Sequence, residues 1–184
     1  GSGTVRVLGR APEEPGLRDE LAYMPQGGGL YQDLSVQENL RFFADLHGLG
    51  PEEARARIRD LLQRTGLAGF ESRRAGQLSG GMMQKLALAC ALVTDPQVMF
   101  LDEATTGVDP VSRRAFWRLL DGVRADGVAI LYATANMDEA ERCDVVAVLE
   151  EGRIRRSGTP REMIHREGLV LFGLRGPNIR ARRE

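Results

Sequence analysis

Residues 78–85, Leu-Ser-Gly-Gly-Met-Met-Gln-Lys, and residues 98–103, Val-Met-Phe-Leu-Asp-Glu, decide how this chain is read. The first stretch is a Ser-Gly-Gly turn that opens an apolar run. Ser79 is a natural helix N-cap, its hydroxyl accepting from a free backbone N–H of the first turn. Gly80 and Gly81 carry no Cβ, so a ligand can approach their backbone closely, and a helix N-terminus with free N–H groups is an anion site. A largely buried helix is expected over residues 82–93, with Leu86, Leu88, Ala89, Leu92 and Val93 apolar. Asp95-Pro96 stops it. The second stretch is a short apolar run, which suits a parallel strand covered on both faces. Asp102 and Glu103 stand at its carboxyl end, where open α/β sheets place their ligand sites. Two carboxylates there can divide the labour, one placing Mg²⁺ through water and one accepting a proton from an attacking water. Read singly, the first stretch is also an ordinary capped helix and the second also a strand ending in solvent. Their order and spacing make the pair specific.

The rest of the chain is consistent with one soluble α/β domain. Its 184 residues suit a single domain, and 42% apolar with 28% charged residues is ordinary for a globular chain. The net charge of −1 lends no support to a nucleic-acid partner. No apolar run approaches the roughly 20 residues of a membrane span. Cys90 and Cys143 have no metal or CxxC spacing and read as reduced thiols. Lys85 is the only lysine, every other basic residue being arginine.

Strands are expected over residues 4–8, 21–24, 98–101, 128–133, 145–149 and 170–174. A Pro- and Gly-rich loop covers residues 9–19. Ser35-Val36-Gln37-Glu38 has the form of a capping box, and the helix after it carries Leu40, Phe43, Ala44 and Leu46 on one face. Pro51 starts a second helix with Ala54, Ile58, Leu61 and Leu62 as its buried stripe. Residues 66–77 are a linker, so residues 34–93 read as a helical insertion between strands. Asp109 is an N-cap with Pro110 at the first helical position, opening an amphipathic helix over residues 111–125. Residues 137–142 are a short acidic helical segment, Glu151-Gly152 is a turn into Ile154, and Thr159-Pro160 opens a last short helix. The basic residues 175–184 lack periodicity and read as a tail or linker. Alternating strands and helices argue a parallel sheet.

The two central stretches resemble the signature loop and Walker B strand of ABC-transporter ATPase domains. The resemblance extends from Ser2 to Pro160. Pro25-Gln26-Gly27-Gly28-Gly29 looks like the Q-loop, residues 104–110 look like the D-loop, and residues 132–141 look like the switch region. It implies a P-loop NTPase-like parallel sheet with an inserted α-helical subdomain at about residues 34–93. The ATPase domain would cover residues 1–168, followed by a C-terminal extension over 169–184. It implies Glu103 as general base and Asp102 as the Mg²⁺-associated aspartate, with Gln26 touching Mg²⁺ and water. Ser79, Gly80, Gly81, Gln84 and Asp109 would meet nucleotide or the facing domain. ATP and Mg²⁺ are the implied cofactors. The implied partners are a transmembrane permease and a second ABC ATPase domain paired head to tail, with no nucleic acid. The implied location is the cytoplasm, peripheral on the inner face of the cell membrane. Thr-Thr-Gly-Val-Asp-Pro-Val-Ser-Arg-Arg at 105–114 and Met-Asp-Glu-Ala-Glu-Arg-Cys-Asp at 137–144 resemble the ABC-2-type exporters in particular.

Three departures bear on activity. The family usually has Pro where Ala104 stands and His where Ala135 stands, and His47 and His165 are remote in sequence. No GxxxxGK[ST] occurs, the loop whose backbone N–H groups and Lys hold the phosphates. Lys85 lies inside the signature helix. The expectation is a chain that begins downstream of the Walker A segment and is inactive alone. Two alternatives stay open: a non-catalytic module donating its signature face to a complete ATPase, and a soluble ABC protein of translation or DNA repair.

Overall fold

A computed structural model describes residues 3–163 and 170–175. Six strands form one sheet: β1 (Leu21–Met24), β2 (Val98–Asp102), β3 (Ala129–Thr134), β4 (Val145–Glu150), β5 (Arg153–Gly158) and β6 (Val170–Arg175), in the order β1-β2-β3-β6-β4-β5. β1, β2 and β3 are parallel, with Leu21 opposite Val98 and Val98 opposite Ala129. β6 runs antiparallel to both β3 and β4, so β4 points the same way as the first three. The parallel core is the expected one, and β5 and β6 are antiparallel additions to it. β5 is exposed along most of its length and carries Arg153, Arg155 and Arg156. Charges on an edge strand block pairing with another chain.

The helices are α1 (Val36–Leu46), α2 (Pro51–Thr65), α3 (Gly80–Leu92), α4 (Pro110–Ala125), α5 (Met137–Ala140) and α6 (Pro160–Met163). The capping box on α1 is complete: Ser35 Oγ accepts from the Glu38 N–H at 3.2 Å, and the Glu38 carboxylate accepts from the Ser35 N–H at 2.7 Å. α2 has Pro51 in its first turn and Gly66 in the left-handed region at its end, the usual asymmetry of helix termini. No helix among the described residues is long and apolar enough to cross a membrane.

Two apolar clusters form. One packs Met24, Met99, Leu101 and Ile130 of the sheet against Leu88 of α3 and Phe116, Trp117 and Leu120 of α4. The other is built between helices, with Val36, Leu40 and Ala44 of α1, Ala54, Ile58, Leu61 and Leu62 of α2, and Leu86, Ala89 and Cys90 of α3. α3 is apolar on nearly every side because it belongs to both.

Two expectations fail. Residues 4–8 form no strand: Val7 and Arg10 make only an isolated bridge, and Val5 is 64% exposed. Their alternation has no partner strand to pair with, and pairing is what stabilises a strand. Leu46, expected on the buried face of α1, is 65% exposed at the helix end. The tail at 176–184 lies outside the described residues, whereas residues 170–175 are paired into the sheet as β6.

Candidate active site at the carboxyl ends of the parallel strands

β1, β2 and β3 deliver three loops to one edge of the sheet. β2 ends at Asp102, and Glu103 follows with φ of 46°. That left-handed conformation is unusual and costly for a residue with a Cβ. It turns the chain out of the strand while the Glu103 N–H still donates to the Ala133 carbonyl of β3 at 2.9 Å. The turn places both carboxylates in a half-buried position. Gln26, two residues past the end of β1, donates from Nε2 to Glu103 Oε2 at 2.9 Å. Thr106 Oγ1 donates to the same oxygen at 3.1 Å. Tyr23 donates from its hydroxyl to Asp102 Oδ2 at 3.4 Å. Sequence reasoning passed over Tyr23 and Thr106. Their signals were present: one lies on the strand feeding the Gln26 loop, the other three residues after Glu103.

Gln26, Asp102 and Glu103 thus converge, although Gln26 and Glu103 are 77 residues apart. Two carboxylates and an amide oxygen are hard donors of the kind Mg²⁺ selects. No group of three or more His, Cys, Asp and Glu side chains suited to a metal occurs among the described residues. Asp102, Glu103 and Gln26 do not form a closed cage, and an ion held by donors this few would keep several of its waters.

The Ser-Gly-Gly turn lies elsewhere. Ser79 Oγ accepts from the Met82 N–H at 3.3 Å and caps α3. Ser79 and Gly80 are exposed, and the position of a Cβ on Gly80 is open space. Gly81 is different: it is buried, and a Cβ there would overlap the Cβ and Oγ of Ser112 on α4. The bareness of Gly81 therefore serves the close approach of α3 to α4 within the chain. Gln84 faces inward, and its buried Oε1 has no hydrogen-bond partner. A Cβ on Gly28 would sit 3.0 Å from Ala87 Cβ, so the Gln26 loop runs hard against α3. Among the described residues no hydrogen bond joins Ser79 or Gly80 to Asp102 or Glu103.

Asp109 caps α4, accepting at Oδ1 from the N–H groups of Val111 at 2.9 Å and Ser112 at 3.0 Å. Hydrogen bonding by Ser112, from side chain and then backbone, holds the Asp109 carboxyl below the usual aspartate range. Ala104, the residue after Glu103, is buried in the sheet cluster. At the end of β3, Thr134 Oγ1 accepts from the Asn136 N–H at 3.0 Å, and Ala135 between them is exposed.

A family profile described as "ABC transporter" matches residues 1–106. The chain is 44% identical over 164 residues to the probable multidrug ABC transporter ATP-binding protein YbhF of Escherichia coli, covering 88% of this chain and 28% of that protein. It is 41% identical over 187 residues to the Nod factor export ATP-binding protein I of Burkholderia orbicola, covering 100% of this chain and 62% of that protein. The chain thus spans between about a quarter and two thirds of the length of these relatives. The structure of cbiO1 from Clostridium perfringens, part of the ABC transporter complex cbiONQ, superposes with a TM-score of 0.78 at 30% identity, over 88% of this chain and 68% of that one. With the carboxylate pair ending β2, the Gln26 loop beside it and the profile matching more than half of its residues, the chain belongs to the ABC transporter ATP-binding family.

Proposed function

We propose that the chain is part of the ATP-binding and hydrolysing subunit of an ABC exporter, coupling hydrolysis to transport through a separate membrane permease. The observation that carries the reading is the Gln26–Glu103 contact of 2.9 Å beside Asp102. Glu103 accepts the proton of the attacking water, and its resting hydrogen bonds to Gln26 and Thr106 hold the carboxylate in place until water takes one of them over. Asp102 and Gln26 would hold Mg²⁺, largely through water. When bound, Mg²⁺ neutralises charge on the phosphates. Phosphoryl transfer depends mainly on such positioning and neutralisation.

Residues 1–184 contain no GxxxxGK[ST], so in this reading the P-loop is supplied from outside them. Exposed Ser79 and Gly80, at the free N-terminus of α3, close over the γ-phosphate held by a second ABC domain paired head to tail. Gln84 supports that turn from inside. Asp109 holds the neighbouring loop that faces the second domain. In this reading residues 1–168 belong to the ATPase domain, with residues at about 34–93 meeting the permease, and the C-terminal extension returns residues 170–175 to the sheet of that domain as β6. The subunit is cytoplasmic and sits on the inner face of the membrane. The relatives' names, multidrug transport and Nod factor export, support an exporter. Ala135, standing where the family usually has His, favours a second reading, in which the chain only lends its signature face to a complete ATPase.

The test is Glu103→Gln in the protein purified from its native host with the subunits that accompany it. Loss of a positioned general base lowers turnover about 10²–10⁴-fold, and that loss is expected here with Mg-ATP binding retained. Unchanged turnover removes the catalytic role of Glu103 and leaves the signature-donating reading.

A further inference from the structure

Glu139 of α5 is a carboxylate that the proposed chemistry does not use, yet it is only 3% exposed. Its Oε1 accepts from Thr105 Oγ1 and from Trp117 Nε1, the latter at 3.5 Å. Its Oε2 accepts from Thr134 Oγ1 at 2.6 Å. Arg113 Nε lies 3.8 Å from Oε1. The Tyr132 hydroxyl stands 3.4 Å from Thr105 Oγ1. Burial first, and then the charge of Glu139, push that phenol upward from its ordinary value, so it remains neutral. A buried charge is costly unless it is paired and hydrogen-bonded. Here three donors and one guanidinium meet it, and they come from three places: the turn after β2, the end of β3, and α4.

Two of those partners flank the candidate site. Thr105 is two residues beyond Glu103. Thr134 ends β3 directly before Ala135 and also receives the Asn136 N–H. Glu103 itself holds a left-handed backbone, which persists only where the surroundings over-determine it. One restraint is its N–H on the Ala133 carbonyl. The other is the fastening of Thr105 to Glu139. We propose that Glu139 is a positioning residue, which ties the turn bearing Glu103 to the segment after β3 so that the general base stays aimed at the reacting water. This rests on the role proposed above for Glu103. Glu139 is buried away from the reacting carboxylates and acts through the backbone of residues 103–106.

The test is Glu139→Gln in the protein purified from its native host with its accompanying subunits, beside wild type and Glu103→Gln. An amide matches the carboxylate in size but loses the charge toward Arg113 and turns an NH2 group toward a donor. The expected result is a kcat lowered roughly tenfold to a hundredfold, as for a misplaced catalytic group, with KM for Mg-ATP changed less than about twofold because no binding contact is touched. Hydrogen exchange should speed up selectively in residues 103–109 and 134–140. Thr105→Val, which removes a single donor, should show the same pattern more weakly, and it carries the test if Glu139→Gln does not fold. A wild-type kcat in both variants, or faster exchange spread evenly over the chain, overturns the proposal while leaving the role of Glu103 intact. A wild-type protein without ATP turnover overturns both.

Discussion

The sheet cluster and the helical cluster solve the same burial problem in different ways. In the sheet cluster, strands that bury every second residue, such as Met99 and Leu101 of β2, meet helices that each present one stripe, and α4 is the clear example: Phe116, Trp117, Leu120 and Val123 are buried while Val111 is exposed. In the helical cluster, α1 and α2 contribute one stripe each and lie on the third helix. That third helix is α3, and Leu88 and Ala87 face the sheet while Leu86, Ala89 and Cys90 face the other helices. Exposed ends tie the two regions together as well, Arg64 of α2 donating to Asp126 after α4 at 2.5 Å. Salt bridges this exposed contribute little. A helix that is apolar all round is therefore the joint between two cores, and whatever α3 does at its N-terminus is mechanically coupled to both.

The largest test of that joint is a pair of truncations. Leu86→Ala and Leu88→Ala each empty a fully buried site on opposite sides of α3, and each should cost about 2–5 kcal/mol. Trp117, the only tryptophan, reports on the sheet cluster alone. If α3 makes the two clusters one cooperative unit, Leu86→Ala shifts the denaturant midpoint seen by Trp117 fluorescence as far as the one seen by far-UV circular dichroism. A fluorescence midpoint that stays put while the dichroism midpoint moves breaks the comparison, because the helical cluster would then be melting by itself.

A smaller effect is expected at the start of α3. Gly81→Ala drives a methyl into Ser112 and should cost roughly 1–3 kcal/mol as an overpacked contact. Gly80→Ala meets open space and should be near neutral in thermal melting. Combining Gly81→Ala with Ser112→Gly should recover part of the loss, and a double-mutant cycle reads that coupling. Additive losses would mean that the α3–α4 approach tolerates a side chain.

The smallest effects lie at two exposed caps, one in each region. Hydrogen bonds lower the Asp109 carboxyl at α4, and the Ser35 backbone N–H chiefly lowers the Glu38 carboxyl at α1. A depressed carboxyl contributes stability that is present above its unfolded value, about 3.9 for Asp and 4.3 for Glu. That contribution is lost as pH falls through the lower folded value. Melting temperature should therefore decline from pH 5 toward pH 2. Asp109→Asn and Glu38→Gln should each remove part of the decline, and a slope identical to wild type in both would show that neither cap carries it.

Much of this was legible because it is local. The capping box at Ser35 and Glu38, Pro51 and Gly66 around α2, and Asp109 before Pro110 each depend on residues within a few positions, and each occurs as read. The run Val98–Leu101 announced a strand with carboxylates at its end, although only Met99 and Leu101 are buried and the expected cover on both faces is incomplete. The reading failed where a partner was needed. Residues 4–8 alternate like a strand but have none. Glu151-Gly152 reads as a turn into Ile154, but no strand is expected after it, because the charges of Arg153–Gly158 hide an edge strand that exists by pairing with β4. Glu139 lies in a segment that reads only as a short acidic helix, and three of the groups that bury it, Thr105, Arg113 and Trp117, are 22 to 34 residues away in sequence.

Residue order alone settles which stretches turn, cap, run extended or carry paired carboxylates, since backbone chemistry over a few residues governs those choices. The family follows from two such stretches at their spacing. The close fit of Gly81 on Ser112, the meeting of Gln26 with Glu103, and the polar hub at Glu139 arise only when the chain has packed. They depend on distances between residues that no local rule relates, and burial makes each of them consequential by removing the water that would otherwise serve every polar group equally well.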